Sequence, residues 1–126
     1  MIPKLVKSAL SAREHSYAPY SHYKVGAALL TSDGRIYQGC NVENASYGAT
    51  NCAERTAFFK AVSEGIRQFS AIAIAGGTED EPISDYAYPC GICRQVMQEF
   101  CGPDFLIHMG KENGGIETVA LQDLLP

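Results

Sequence analysis

The stretch KVGAALLTSDGRIYQGCNV, residues 24–42, contains two runs of strand-forming residues on either side of a turn. Asp33-Gly34 is typical of a tight turn between antiparallel strands, because glycine readily adopts the positive φ that such turns require. We therefore predict strands over residues 24–31 and 35–42, joined as a β-hairpin.

The remainder of the chain alternates between helix-like and strand-like segments. Helix-forming composition and apolar residues at helical spacing predict helices over residues 3–16, 52–64 and 91–100. Thr50 or Asn51 is expected to cap the second helix, and Gly65 to end it. Apolar runs predict further strands over residues 69–75, 105–109 and 116–120. The order α-β-β-α-β-α-β-β favours a mixed sheet with helices on both faces.

Length and composition indicate an ordinary globular protein. The 126 residues are 46% hydrophobic and 19% charged, and they contain no internal repeat or linker-like composition break. We therefore expect a single domain over residues 1–126. The apolar stretches are far shorter than the roughly 20 residues of a membrane span, and the amino terminus has no signal-peptide core. These features predict no membrane association and a cytoplasmic location.

The charge balance argues against polynucleotide partners. Ten basic and fourteen acidic side chains give a formal net charge of −4, without a basic stripe along the sequence. Proteins that bind the phosphate backbone normally present such positive charge. We therefore predict no stable binding of nucleic acid.

The five cysteines point to metal binding. An odd number would leave one thiol outside a disulfide framework, and nothing indicates an oxidising compartment. Cys52 begins one predicted helix, while Cys90 and Cys93 begin another. Three thiolates from two helices can hold one zinc ion and leave its fourth position open, as catalytic zinc sites do. Both motifs lie at predicted helix N-termini, which lower thiol pKa values.

Two charged residues beside the first cysteine suggest the chemistry. Glu54 is suited to carry protons next to a metal ion. Arg55 would offset the negative charge of the thiolates and donate hydrogen bonds to ligand sulfurs. A metal-activated water attacking an amidine-like carbon needs one proton delivered to the ring nitrogen and one to the departing amine. The pattern therefore suggests hydrolytic deamination.

Other interpretations of the same residues remain open. Asn51-x-x-Glu54 fits a capping-box pattern, in which Glu54 only satisfies backbone donors. Cys90 and Cys93 also have the spacing of a redox pair. If Cys40 were a fourth ligand, the zinc site would be closed and the protein would be a structural zinc module. The favoured expectation is instead that Cys40 and Cys101 are packing residues.

Four motifs occur in order along the chain: YSHYKVGAA at residues 20–28, GCNVENASYG at 39–48, CAER at 52–55 and PCGICRQ at 89–95. Together they resemble those of the small homotetrameric zinc-dependent cytidine deaminases. Zinc nucleobase deaminases share the pairing of a ligand-x-Glu motif with Pro-Cys-x-x-Cys. The resemblance spans nearly the whole chain. It implies a three-layer α/β/α cytidine-deaminase-like fold with a five-stranded mixed sheet, in which the last two strands are antiparallel.

The resemblance also implies roles for individual residues. Zn²⁺ would be bound by Cys52, Cys90 and Cys93, with Glu54 as the proton shuttle and Arg55 beside the ligands. The substrate would be contacted by Asn41 and Glu43 at the ribose, chiefly at its 3′-hydroxyl, and by Tyr23 and Ala53. Tyr47 would lie near the active site of a neighbouring subunit, in a homotetramer with shared active sites.

The expected reaction follows from the resemblance. It is hydrolysis of cytidine and 2′-deoxycytidine to uridine and 2′-deoxyuridine with release of ammonia, in pyrimidine salvage. The alternatives are an RNA- or DNA-editing deaminase, a blasticidin-type aminonucleoside deaminase and, outside the enzymes, the structural zinc module. The acidic charge and the Asn41–Glu43 pair favour free nucleosides.

Overall fold

The computed structural model describes residues 1–124 of the chain. The helices are α1 (Ile2–Arg13), α2 (Ala53–Ser63) and α3 (Gly91–Phe100). The strands are β1 (Tyr23–Thr31), β2 (Ile36–Cys40), β3 (Phe69–Thr78), β4 (Leu106–Gly110) and β5 (Ile116–Ala120). Short 3₁₀ helices cover Tyr47–Ala49 and Leu121–Asp123. Within residues 1–124, none of the helices combines the length and the apolar character needed to cross a bilayer.

The five strands form one mixed sheet in the order β2-β1-β3-β4-β5. The pair β3–β4 is parallel, whereas β1–β2, β1–β3 and β4–β5 are antiparallel. Gly34 has a φ of 92° in the turn between β1 and β2, as the Asp-Gly signal predicts. The predicted element order and the antiparallel pairing of the last two strands are confirmed.

The alternation of side chains along β3 produces two cores, one on each face of the sheet. On one face, Ala71, Ala73 and Ala75 pack against α1. On the other face, Ile72 and Ile74 pack beneath the aromatic and aliphatic side chains of α2 and α3. The sheet is therefore enclosed between α1 and the pair α2–α3, which confirms the three-layer α/β/α fold.

Several element boundaries differ from the prediction. The strand predicted to continue to residue 42 ends at Cys40. Strand β3 continues through Gly76-Gly77, because these glycines pair with Val25 and Lys24 of β1. Helix α2 has Cys52 at its N-cap position without a capping side-chain bond, so the expected caps were wrong. The Cys52 thiol instead lies beside two other thiols.

Gly39 of β2 allows α2 to pack directly on the strand backbone. A Cβ atom at this position would lie 2.4 Å from the carbonyl oxygen of Ala53 and 2.6 Å from the amide nitrogen of Ala57. Only glycine accommodates such a close approach of two backbones. Gly39 therefore sets the height of the first turn of α2 above the sheet.

Candidate active site

Three cysteine thiols meet where α2 and α3 begin. Cys52 and Cys90 are the N-cap residues of the two helices, and Cys93 lies in the first turn of α3. The sulfurs of Cys52 and Cys90 are 3.6 Å apart, and those of Cys90 and Cys93 are 3.2 Å apart. Tetrahedral zinc with bonds of about 2.3 Å separates its sulfur ligands by roughly 3.8 Å. The three residues therefore fit a single zinc ion with small adjustments.

Hydrogen-bond donors around the sulfurs favour thiolates. The amide of Cys93 donates to Sγ of Cys90 at 3.4 Å, and Nη2 of Arg55 donates to Sγ of Cys52 at 3.3 Å. The hydrogen bond between Cys93 and Cys52, with the contribution of Arg55, lowers the pKa of Cys52 to about 5. The same bond, together with burial, raises the pKa of Cys93. Arg55 thus lies where its positive charge offsets the negative charge of bound thiolates.

The cluster contains three potential ligand residues, one fewer than the four of a closed structural zinc site. Within residues 1–124, Cys52, Cys90 and Cys93 are the only group of potential ligand residues close enough together to hold a metal ion. Cys40 and Cys101 are separate from it. Burial raises the pKa of Cys101 to about 12, as expected for a packing thiol. A zinc site of three ligands is the open type, rather than the closed type of a structural module.

Glu54 lies beside the cluster, in the first turn of α2. It is only 4% exposed, and this burial raises its carboxyl pKa to about 7. A negative charge on Cys52 contributes to the same rise in pKa. A carboxyl group whose pKa is close to neutral can both accept and release a proton under physiological conditions.

Cys52, Cys90 and Glu54 open onto a cavity of about 360 Å³, a size within the usual range for small-molecule sites. Seven of the predicted site residues line it: Tyr23, Asn41, Glu43, Cys52, Ala53, Glu54 and Cys90. Cys93 is 1% exposed and is not among the lining residues, but its sulfur lies 3.2 Å from that of Cys90. The structure therefore brings the candidate metal site and the candidate sugar-binding residues into one space.

Comparison with known proteins identifies the family. A family model described as the cytidine and deoxycytidylate deaminase zinc-binding region matches residues 2–109. The chain belongs to this deaminase family. As such it is a zinc-dependent hydrolytic deaminase, and the open three-cysteine site agrees with the zinc-binding description of the family.

Individual deaminases match over nearly the whole chain. A cytidine deaminase of Sporosarcina psychrophila is 51% identical over 125 residues, covering 99% of this chain and 88% of that protein. One of Halalkalibacterium halodurans is 52% identical over 122 residues, with coverages of 97% and 89%. The crystal structure of cytidine deaminase from Burkholderia pseudomallei has a TM-score of 0.88 and 49% identity, covering 98% of this chain and 94% of that one.

Asn41 and Glu43 of this deaminase lie beyond the end of β2 at Cys40 and are held by side-chain hydrogen bonds. The Asn41 amide accepts from the Val25 N–H at 2.9 Å and donates to the Tyr23 carbonyl at 2.9 Å. Glu43 accepts from the Ser21 hydroxyl and from the N–H groups of Tyr20 and Ser21, at 3.1 and 3.0 Å. These bonds lower the pKa of Glu43, so its carboxylate is anionic at neutral pH.

Tyr47 lies outside this cavity. It is 89% exposed, on a surface adjoining the cysteine cluster, where it lines a separate depression together with Arg55 and Ile92. Its role towards a neighbouring subunit of the deaminase stays a prediction.

The sequence interpretation missed one wall of the cavity. Tyr86, Ala87 and Tyr88 line it from the loop between β3 and α3. These residues lie between the predicted strand over residues 69–75 and the predicted helix over residues 91–100, and none of the sequence motifs assigns them a role. The available signal was the pair of aromatic residues two and four positions before Cys90.

Proposed function

We propose that this deaminase converts cytidine and 2′-deoxycytidine to uridine and 2′-deoxyuridine with release of ammonia, in pyrimidine salvage. One observation carries the proposal: a single cavity joins the three-thiol cluster and buried Glu54 to the Asn41–Glu43 pair. The thiol cluster with Glu54 suits hydrolysis at a ring amidine, and the Asn41–Glu43 pair suits hydrogen bonding to a sugar hydroxyl. The close relatives named cytidine deaminases support the same substrates.

The reaction divides between the metal site and Glu54. Cys52, Cys90 and Cys93 would hold the zinc ion, which would lower the pKa of a bound water molecule so that it could attack C4 of the pyrimidine as hydroxide at neutral pH. Glu54 accepts one proton from this water at a carboxylate oxygen and delivers it to N3 of the base. The second water proton passes through the same carboxyl group to the departing amine. The C4–N bond then breaks, ammonia leaves, and C4 retains the water oxygen as a carbonyl.

Neighbouring groups hold the base in this position. Ala53 is the first residue of α2, where backbone N–H groups have no partner within the helix. We propose that this N–H donates to the pyrimidine, since Ala53 lines the cavity between Cys52 and Glu54. Tyr23 contributes its ring to the base pocket. Arg55 keeps the bound thiolates from accumulating uncompensated negative charge.

The Asn41–Glu43 pair recognises the 3′-hydroxyl of the sugar. Asn41 retains a second N–H on its amide nitrogen, and the Glu43 carboxylate has further lone pairs for a hydroxyl donor. Both cytidine and 2′-deoxycytidine carry this hydroxyl. An anionic Glu43 repels a phosphate at the same place, which disfavours polynucleotides and therefore an editing function.

Glu43→Gln is expected to weaken cytidine binding by about 10- to 100-fold, because hydrogen bonds to charged groups contribute roughly 1.5–3 kcal/mol. The measurement is KM for cytidine compared with KM for 3′-deoxycytidine, which lacks the hydroxyl. The wild-type protein should discriminate between the two, and the variant should lose most of that discrimination. Equal weakening for both substrates would place Glu43 elsewhere than at the 3′-hydroxyl.

The proposed activity is tested by following the absorbance change of cytidine and 2′-deoxycytidine with the purified protein, while its bound zinc is quantified. We expect turnover of both nucleosides by the zinc-loaded protein. Stoichiometric zinc without turnover of either nucleoside would contradict the proposal.

We also propose that the protein is a cytoplasmic homotetramer whose active sites are shared between subunits. The exposure of Tyr47 and Ile92 beside the cysteine cluster supports this, because large apolar side chains grouped on a surface commonly mark an interface. Sedimentation of the active protein tests it, and an active monomer would contradict it.

A further inference from the structure

The loop between β3 and α3, residues 79–89, forms one wall of the cavity, and none of its residues has been given a role above. Its last part lines the cavity with Tyr86, Ala87 and Tyr88. The loop has no regular secondary structure, and few of its side chains are buried. Loops of this kind are mobile unless contacts elsewhere hold them. What fixes this wall therefore matters for the shape of the cavity.

Contacts with the hairpin of β4 and β5 hold the front of the loop. The N–H of Ile83 donates to Oε1 of Glu112 at 2.5 Å. The ammonium of Lys111 lies 4.4 Å from the centre of the Tyr86 ring, within the range of a cation–π interaction. The Tyr86 hydroxyl lies beside Gly115, where a Cβ atom would be only 2.9 Å away. These contacts bring the loop onto the turn of one hairpin.

Tyr88, which also lines the cavity, makes a further contact with the hairpin. The hydroxyl of Tyr88 donates to Oε2 of Glu117. Glu117 belongs to β5 and pairs with the fully buried Met109 of β4. Because β4 is in turn paired with β3, the carboxylate belongs to the rigid sheet rather than to a second loop.

The end of the loop next to the metal site is held independently. Nε of Arg94 donates to the carbonyl of Pro89 at 2.8 Å, immediately before Cys90. Glu54 and the thiols lie on α2 and α3, not on the loop. Loosening the contact between Tyr88 and Glu117 should therefore change the cavity wall without displacing the zinc ligands.

We propose that the β4–β5 hairpin sets the position of this wall, and that Glu117 is a positioning residue that acts on nucleoside binding through Tyr88. The kinetic part of this inference rests on the proposed function. The placement of the loop itself does not. The expected signature is a change in KM at nearly constant kcat, because the groups that carry out the proton transfers stay in place.

The kinetic test uses Tyr88→Phe, Glu117→Ala and the double variant, with cytidine as substrate. Each single variant should raise KM about threefold to tenfold, the effect of losing one hydrogen bond. The double variant should be no worse than the more affected single variant, because both substitutions remove the same contact. Bound zinc and kcat should stay close to those of the wild type. Glu99→Ala, at an exposed carboxylate of α3, is the matched control and should leave KM unchanged.

Hydrogen–deuterium exchange tests the placement without depending on activity. Amides of residues 86–88, next to the lost contact, should exchange several-fold faster in Glu117→Ala than in the wild type, while those of α1 should be unaffected. Unchanged exchange in the loop would overturn the proposal, whether or not the protein acts on cytidine. Unchanged KM values or additive effects in the double variant would also overturn it. A wild type without cytidine turnover would contradict the proposed function instead, and the exchange result would then decide the role of Glu117.

Discussion

Glu54→Gln is expected to reduce cytidine turnover by about 10²- to 10⁴-fold, the range usually lost when a general acid–base group is removed. Glutamine has nearly the same volume, so it should fit the buried position, where Glu54 is 4% exposed. It cannot exchange a proton in the way that a carboxyl group with a pKa of about 7 can. The measurement is kcat under saturating cytidine, with zinc quantified in the same samples.

A control variant and the zinc content of Glu54→Gln show whether the loss of turnover is specific to the proton-shuttle role. Glu99→Gln, at an exposed position on α3, introduces the same chemical change away from the cavity and should leave kcat unchanged. Undiminished turnover by Glu54→Gln would exclude the proton-shuttle role. Loss of zinc along with activity would show instead that Glu54 supports the metal site.

Cys93→Ala is expected to abolish both zinc binding and turnover. Only Cys52 and Cys90 would then remain of the three thiols that lie within 4.8 Å of one another. Two thiolates hold zinc much less tightly than three, and the buried position of Cys93 leaves little space for water to replace it. Zinc per chain after extensive dialysis, together with cytidine turnover, measures the effect.

The matched control for Cys93 is Cys101→Ala at the other end of α3. This substitution removes a half-buried thiol that lies outside the cluster, so zinc content and turnover should both persist. Full zinc occupancy in Cys93→Ala would mean that another residue completes the metal site. Equal zinc loss in both variants would point to a general effect on α3.

The sequence predicted those features that depend on local signals. Asp33-Gly34 predicted the β1–β2 hairpin because the positive φ of Gly34 is a local requirement of the turn. The boundaries of α3 agree with the prediction, since Cys90 precedes a strongly amphipathic segment. The convergence of three thiols was predictable because all three lie at helix starts.

Features that depend on distant contacts could not be predicted in this way. Gly76-Gly77 reads locally as the end of a strand, yet pairing with β1 extends β3 through it. The wall formed by Tyr86 and Tyr88 is placed by Lys111 and Glu117, about 25 to 30 residues further along the chain. No periodicity within the loop encodes such a contact.

The close packing at Gly39 has a consequence for engineering this site. Glu54 and Cys52 move with the first turn of α2, which rests on Gly39, whereas Cys90 and Cys93 belong to α3. A small side chain introduced at position 39 would therefore shift the acid relative to two of the three zinc ligands, without altering any residue that lines the cavity. Substitutions at position 39 would therefore vary the distance between the Glu54 carboxyl group and the metal site through a residue that does not line the cavity.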